Sequence, residues 1–125
     1  MSAGDSPALT LPRTQRIKQG RDFARLKREG RRVTRGCLVA NWQERPAGSP
    51  SRVGVITTKK LGNAVARSRA RRLLRETFRL HQFEFRQPVD MVIVARQTIA
   101  GKGRAAVEID FLAALRQGRL LQEPI

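Results

Sequence analysis

From Arg67 onward arginine returns at every fourth position, at Arg67, Arg71, Arg75 and Arg79, in a segment otherwise rich in Ala, Leu, Thr and Phe. At 100° per residue, with Arg67 at 0°, the later three fall at roughly 40°, 80° and 120°, and Arg72 near 140°. Leu80, Leu73, Ala66, Thr77, Ala70, Leu74 and Phe78 fill the opposite arc. A chain carrying this segment must fold around a two-faced helix, apolar on one side and cationic on the other. Asn63 supplies an N-cap, which predicts a helix from Ala64 to about Gln82.

Solvated helix faces normally alternate charge signs at i and i+4. Here one sign repeats, and Glu76 is the only acid nearby, spaced to pair with Arg72. Each like-charge pair costs roughly 0.2–0.5 kcal/mol, which contact with a phosphate backbone readily offsets. The whole chain has the same bias, with 26 Lys and Arg against 10 Asp and Glu and a net charge of +16. That excess points to a polyanionic partner. Twenty-one of the basic residues are arginine, whose planar fork suits phosphate pairs and base stacking. Charge alone does not choose RNA over DNA. No apolar run reaches the roughly 18 residues of a membrane span and no signal-like stretch opens the chain, so a cytoplasmic location and no membrane partner are expected.

At 125 residues there is material for one core. Residues 13–125 are expected to form a single domain behind a disordered tail, Met1 to Pro12. Phe23 and Leu26 before Gly30 predict a short helix with a glycine stop. Cys37 to Trp42 and Arg52 to Thr58 predict two antiparallel strands across a Pro- and Gly-rich loop. Val89 to Ala95 includes Met91-Val92-Ile93-Val94, a continuous apolar run, as in a central strand. After Gly101-Lys102-Gly103, Val107, Phe111, Leu112 and Leu115 recur at helical spacing, with Glu108 and Asp110 assigned to the helix start. The order gives an α+β sandwich with helices against one sheet.

No catalytic constellation emerges. His81 is the sole histidine, which excludes a two-histidine acid/base pair. Cys37, the sole cysteine, sits in an apolar run and reads as a small buried hydrophobe. Asp90 reads as a strand-edge residue, so the carboxylates do not converge as a two-metal nuclease requires. Trp42 ends an apolar strand and reads as core.

Arg52 to Arg79, RVGVITTKKLGNAVARSRARRLLRETFR, closely resembles the signature of the bacterial ribonuclease P protein family. The matching residues are Thr58-Lys59-Lys60, Gly62, Ala64-Val65, Arg67-Ser68-Arg69-Ala70-Arg71-Arg72 and Arg75-Glu76-Thr77-Phe78-Arg79. Arg16-Ile17, Phe23, Leu26 and Gly30 resemble the family's first helix, and Asp90 to Arg96 its later strand. The resemblance extends from about Leu11 to the last helix. Ser68 stands where the family usually has Asn, and Lys27 where a second aromatic is expected.

The resemblance implies a mixed four-stranded sheet, one strand more than the residues alone indicate. It also implies a left-handed βαβ crossover through the basic helix, against the usual rule of hand. It implies that Arg67, Ser68, Arg69, Arg71, Arg72, Arg75 and Arg79 face a catalytic RNA subunit. Arg16, Phe23, Lys59 and Lys60 would hold the 5′ leader of a precursor tRNA. The protein would bind no cofactor and no small-molecule substrate, with the catalytic Mg²⁺ held by the RNA. Two other classes share the charge: a ribosomal-type RNA-binding module and a DNA-binding architectural protein.

Overall fold

A computed structural model describes residues 10–18 and 20–122. The helices are α1 (Gly20–Glu29), α2 (Ala64–His81) and α3 (Arg104–Gln117). The strands are β1 (Arg31–Arg35), β2 (Leu38–Glu44), β3 (Arg52–Ile56) and β4 (Val89–Ala95). They form one sheet of order β1-β2-β4-β3. β4 runs antiparallel to β2 and parallel to β3, so the sheet is mixed and α2 is the crossover between parallel neighbours.

Ala70, Leu74, Thr77 and Phe78 of α2 are buried, with Leu74 and Phe78 fully so. They meet Trp42, Val53, Met91 and Ile93 from the sheet and Val107, Phe111 and Leu115 from α3. Burying each large apolar side chain is worth roughly 1.5–3 kcal/mol. That outweighs the few tenths of a kcal/mol by which the arginine row disfavours the helix. The Asn63 side chain accepts from the Ala66 amide at 2.9 Å, the expected cap. Ala66 itself, assigned to the apolar arc, lies exposed in the first turn, ahead of the docked part.

α1 packs on the opposite face of the sheet. Leu26 joins Ile17 and Val92 there, with Phe23, Ile56 and Val94 at the margin. Residues 13–17 extend the sheet beyond β3, where Arg16 bridges to Val53 and the Ile17 amide donates to the Val53 carbonyl at 2.7 Å.

Several expectations are corrected. The two strands read as neighbours, β2 and β3, do run antiparallel, but β4 lies between them. The extra strand is β1, RRVTR, in which only Val33 is buried, so no hydrophobic alternation marks it. α3 starts at Arg104, leaving no acid in its first turn. Glu108 instead bonds His81 Nε2 at 2.8 Å, and Asp110 accepts from the Cys37 amide at 3.0 Å. Of the expected tail, residues 1–9 lie outside the described residues. Thr10 and Leu11 dock: the Gln82 amide donates to the Thr10 carbonyl at 2.7 Å, and Leu11 packs against the core. Trp42 and Cys37 are core, as read. Burial, then Asp110, pushes the Cys37 thiol up to about 12.

Asp90 is not an edge residue but a buried hub on central β4, 3% exposed. Arg52 grips it through Nε at 2.7 Å and through its terminal nitrogen at 2.6 Å, Arg25 donates at 3.0 Å, and Arg45 lies 3.5 Å away. Burial alone would raise the carboxyl, yet hydrogen bonds from Arg52 and Arg25 prevail and hold it below the ordinary aspartate value. A carboxylate with a lower pKa folded than unfolded stabilises at neutral pH and loses that contribution as pH falls below about 4. Asp90→Asn is therefore expected to cost about 3 kcal/mol in urea unfolding at pH 7, the partly exposed arginines keeping it at the low end for a buried pair. At pH 3 the gap to the unaltered protein should narrow; a gap independent of pH contradicts the ionic account.

Candidate nucleic-acid interface

The α2 face turned from the sheet sorts its arginines by what each touches. Arg67 and Arg72 make no side-chain hydrogen bond or ion pair with any described residue. Arg71 is pinned, donating to Thr57 Oγ1 at 2.7 Å and to Ser68 Oγ at 3.1 Å. Ser68 thus orients an arginine, and the missing family amide leaves a hydroxyl acceptor in its place. Arg79 pairs with Glu76 through two hydrogen bonds, so the acid spaced for Arg72 is taken from the other side. Arg69 points elsewhere, donating to the Lys102 carbonyl at 2.6 Å and tethering the loop before α3.

Arg16 joins this helix rather than the α1 cleft. With Leu11, Ser68, Arg71, Arg72, Arg75, Glu76 and Arg79 it lines an open groove of about 410 Å³. Burial, then the charges of Arg16 and Arg71, lower the pKa of Arg75. Arginine stays charged regardless, so this marks an electropositive spot that an anion relieves.

A second concavity lies between α1 and the sheet. Phe23, Ala24, Lys27, Asn41, Ile56, Thr58, Val92 and Val94 line a mainly apolar cleft of about 300 Å³. Gly54 makes room for Phe23: a Cβ at that position would sit 2.6 Å from the ring. Phe23 is half-buried, one part resting on β3 and the rest lining the cleft. Lys59 and Lys60 are exposed in a short 3-10 turn beyond β3, closed by Gly62 at φ 126°, a conformation suited to glycine. Lys27, the departure from the expected aromatic, puts a cation on the cleft wall.

The two surfaces meet at the tip of β3. Thr57 takes a hydrogen bond from Arg71, Thr58 lines the Phe23 cleft, and the lysine pair follows. Sequence reasoning missed Thr57, Ile56 and Asn41, and placed Thr58 only within the Thr58-Lys59-Lys60 motif. Of the three missed, only Asn41, a lone amide in an apolar strand, carried a visible signal.

Nothing in the described residues converges for catalysis. Both His81 ring nitrogens are occupied, by Glu84 at 2.6 Å and Glu108 at 2.8 Å. No group of three His, Cys, Asp or Glu side chains among them could hold a metal ion. No helix among them is long and apolar enough to cross a membrane. Fold and site together define a polyanion-binding α+β domain.

Comparison with known proteins narrows the class. The profile of the Ribonuclease P family matches residues 11–118. The ribonuclease P protein component of Gluconacetobacter diazotrophicus is 37% identical over 108 residues, covering 84% of this chain and 91% of its own. That of Syntrophomonas wolfei is 31% identical over 110 residues, covering 88% and 92%. The solved Staphylococcus aureus RNase P protein aligns with a TM-score of 0.76 at 27% identity, covering 86% of this chain and 98% of that one. The chain belongs to the ribonuclease P family.

Arg67 and Arg72 make no side-chain hydrogen bond or ion pair among the described residues, so removing both should leave the fold intact. Arg67→Ala with Arg72→Ala is expected to leave the melting temperature unchanged. The slope of log affinity for RNA against log salt should flatten by about one unit per lost phosphate contact. An unchanged slope would show that both side chains face solvent in the complex.

Proposed function

We propose that the protein is the RNA-binding subunit of a ribonuclease P, promoting removal of 5′ leaders from precursor tRNA while an RNA subunit carries the chemistry. Family membership and the named relatives support the subunit role. The observation that carries the division of labour is the adjacency of two unlike surfaces at Thr57 and Thr58.

In this reading the α2 comb of Arg67, Arg71, Arg72, Arg75 and Arg79 lies along the catalytic RNA, with Ser68 positioning Arg71. Arg69 serves the RNA surface indirectly, by holding the loop at Lys102. Arginine forks match phosphate geometry, and a docked helix presents them with the backbone already ordered. Arg16, lining the same groove as the comb rather than the α1 cleft, adds to this surface.

The α1 cleft takes the single-stranded leader. Phe23 offers a stacking face that tolerates any base, and Lys59, Lys60 and Lys27 supply charge for its phosphates. Precursor carries a leader and mature tRNA does not, so this cleft favours substrate over product. Mg²⁺ belongs to the RNA in this scheme, and the protein contributes binding.

Reconstitution with a bacterial catalytic RNA tests the assignment. At low Mg²⁺ the protein should stimulate formation of mature 5′ ends; no stimulation, or tighter binding to duplex DNA than to that RNA, contradicts it. Phe23→Ala should weaken precursor binding by about 1–3 kcal/mol and leave mature tRNA binding unchanged. Equal losses for both would mean that the substitution damages the fold instead.

A further inference from the structure

The backbone just past α2 is held from both sides. The Glu84 amide donates to the His81 carbonyl at 3.0 Å, and the Glu84 carbonyl accepts from the Gln122 amide at 2.9 Å. Phe85 turns inward, its ring 5.6 Å from that of Phe78 in the core. Phe83, two residues earlier, is left 49% exposed. A lone exposed phenylalanine is ordinary on a protein surface. This one is mounted on fixed backbone and walls a concavity of about 320 Å³, together with Pro50, Pro88, Arg86 and Gln87.

That concavity continues the arginine surface. Gln82 lines it, and its side-chain amide donates to the carbonyls of Arg79 at 3.1 Å and Thr10 at 2.7 Å. Arg79 and Leu11, the residue after Thr10, line the arginine groove. Phe83 stands four residues beyond Arg79, where the next member of the series 67, 71, 75, 79 would fall. The 18 residues of α2 span roughly 27 Å, so Phe83 lies at the end of the ridge remote from Thr57 and Thr58, where the leader cleft opens.

The glutamines around the concavity use their amide nitrogens internally, Gln15 on the Ser51 carbonyl and Gln87 on the Arg45 carbonyl, both at 2.9 Å. A ligand therefore meets a flat apolar ring beside a cation. Arg86 is about half-exposed, and its ion pair with Glu44 is stretched to 3.9 Å. The carboxylate nearest in sequence, Glu84, is engaged by His81 at 2.6 Å. A stacked base and its phosphate match this pairing without any edge contact. Proline-rich peptides also dock on aromatic grooves, but those grooves combine several rings. Here Phe85 and Trp42 are buried and the chain has no Tyr.

We propose that one unpaired nucleobase of the catalytic RNA stacks on Phe83 and anchors the C-terminal end of α2 to that RNA. The proposal rests on the reading of α2 as the surface for the catalytic RNA. It adds a contact made without charge, at a residue beyond the arginines.

Affinity of Phe83 variants for a bacterial catalytic RNA tests this. Phe83→Ala should weaken binding about fivefold to a hundredfold, the effect of one stacked base. The slope of log affinity against log salt should stay as in the unaltered protein, because no phosphate contact is lost. Phe83→Trp should bind at least as tightly as the unaltered protein, whereas Phe83→Leu, apolar but without a flat face, should lose as much as Phe83→Ala. Trp and Leu both keep an apolar side chain against the concavity, so their contrast reads flatness even where Ala loosens the fold. In the reconstituted holoenzyme the preference for precursor over mature tRNA should be the same in all four proteins. A benzophenone side chain placed at position 83 should crosslink to the catalytic RNA on illumination. Full affinity in Phe83→Ala or Phe83→Leu overturns the proposal. So does crosslinking only to precursor tRNA, to a second copy of the chain or to its own residues 1–9. Failure of the α2 reading is distinguishable, since Arg67→Ala with Arg72→Ala would then bind the RNA as the unaltered protein does.

Discussion

The docking of α2 onto the sheet decides what the rest of the molecule can do. Leu74 and Phe78 are fully enclosed, and Thr77, also buried, satisfies its hydroxyl by donating to the Leu73 carbonyl at 2.8 Å. Once those side chains are inside, the helix has no rotational freedom left, and Arg67, Arg71 and Arg75 must emerge together on the outer side. The core contributions are several kcal/mol and the repulsion within the arginine row a few tenths, so the row is held out at little cost. Without that apolar underside the same residues would form a loose polycation, able to attract RNA but not to fit it.

Basic residues elsewhere in the chain have been given different work. Arg25, Arg45 and Arg52 converge on buried Asp90, which fastens α1 and the loop after β2 to central β4. Arg31 lies over the Trp42 ring at 5.5 Å. Arg69 ties the loop ahead of α3 to α2. A net charge of +16 is therefore not a uniform coat. Part of it is internal scaffolding, and that scaffolding holds the α1 cleft and the α2 comb in fixed relation. β3 joins the two directly: Gly54 seats Phe23, Thr57 pins Arg71, and the Lys59-Lys60 turn leads into the α2 cap.

Local pattern made α2, β4 and α3 legible, because each buries a face whose period is written in consecutive residues. β4 is legible to its ends, Val89 to Ala95, because six of its seven residues are apolar, as in a strand covered on both faces, Asp90 being the exception. β1 escaped because an edge strand with a single buried residue leaves no alternation to detect. The insertion of β4 between β2 and β3 escaped for another reason: strand order is a long-range property, and proximity in sequence favoured the wrong neighbour. Asp90, Glu108 and Asp110 were each assigned a local role, yet each is satisfied by residues 27 to 73 positions away. The outer arginine face was readable from periodicity. Which arginines are tethered internally, and that Arg16 shares their groove, required coordinates.

The central claim is that the outer face of α2 is the side that meets RNA. Directed hydroxyl-radical probing tests it most directly, with an iron chelate attached to a single introduced cysteine; native Cys37 is buried and its thiol pushed up to about 12, so it escapes labelling. With the chelate on Arg72→Cys, strong local strand cleavage of the bound RNA is expected. With the chelate on Ile109→Cys, on the exposed side of α3, little is expected. Equal cleavage from the two sites, or stronger cleavage from position 109, would contradict the account.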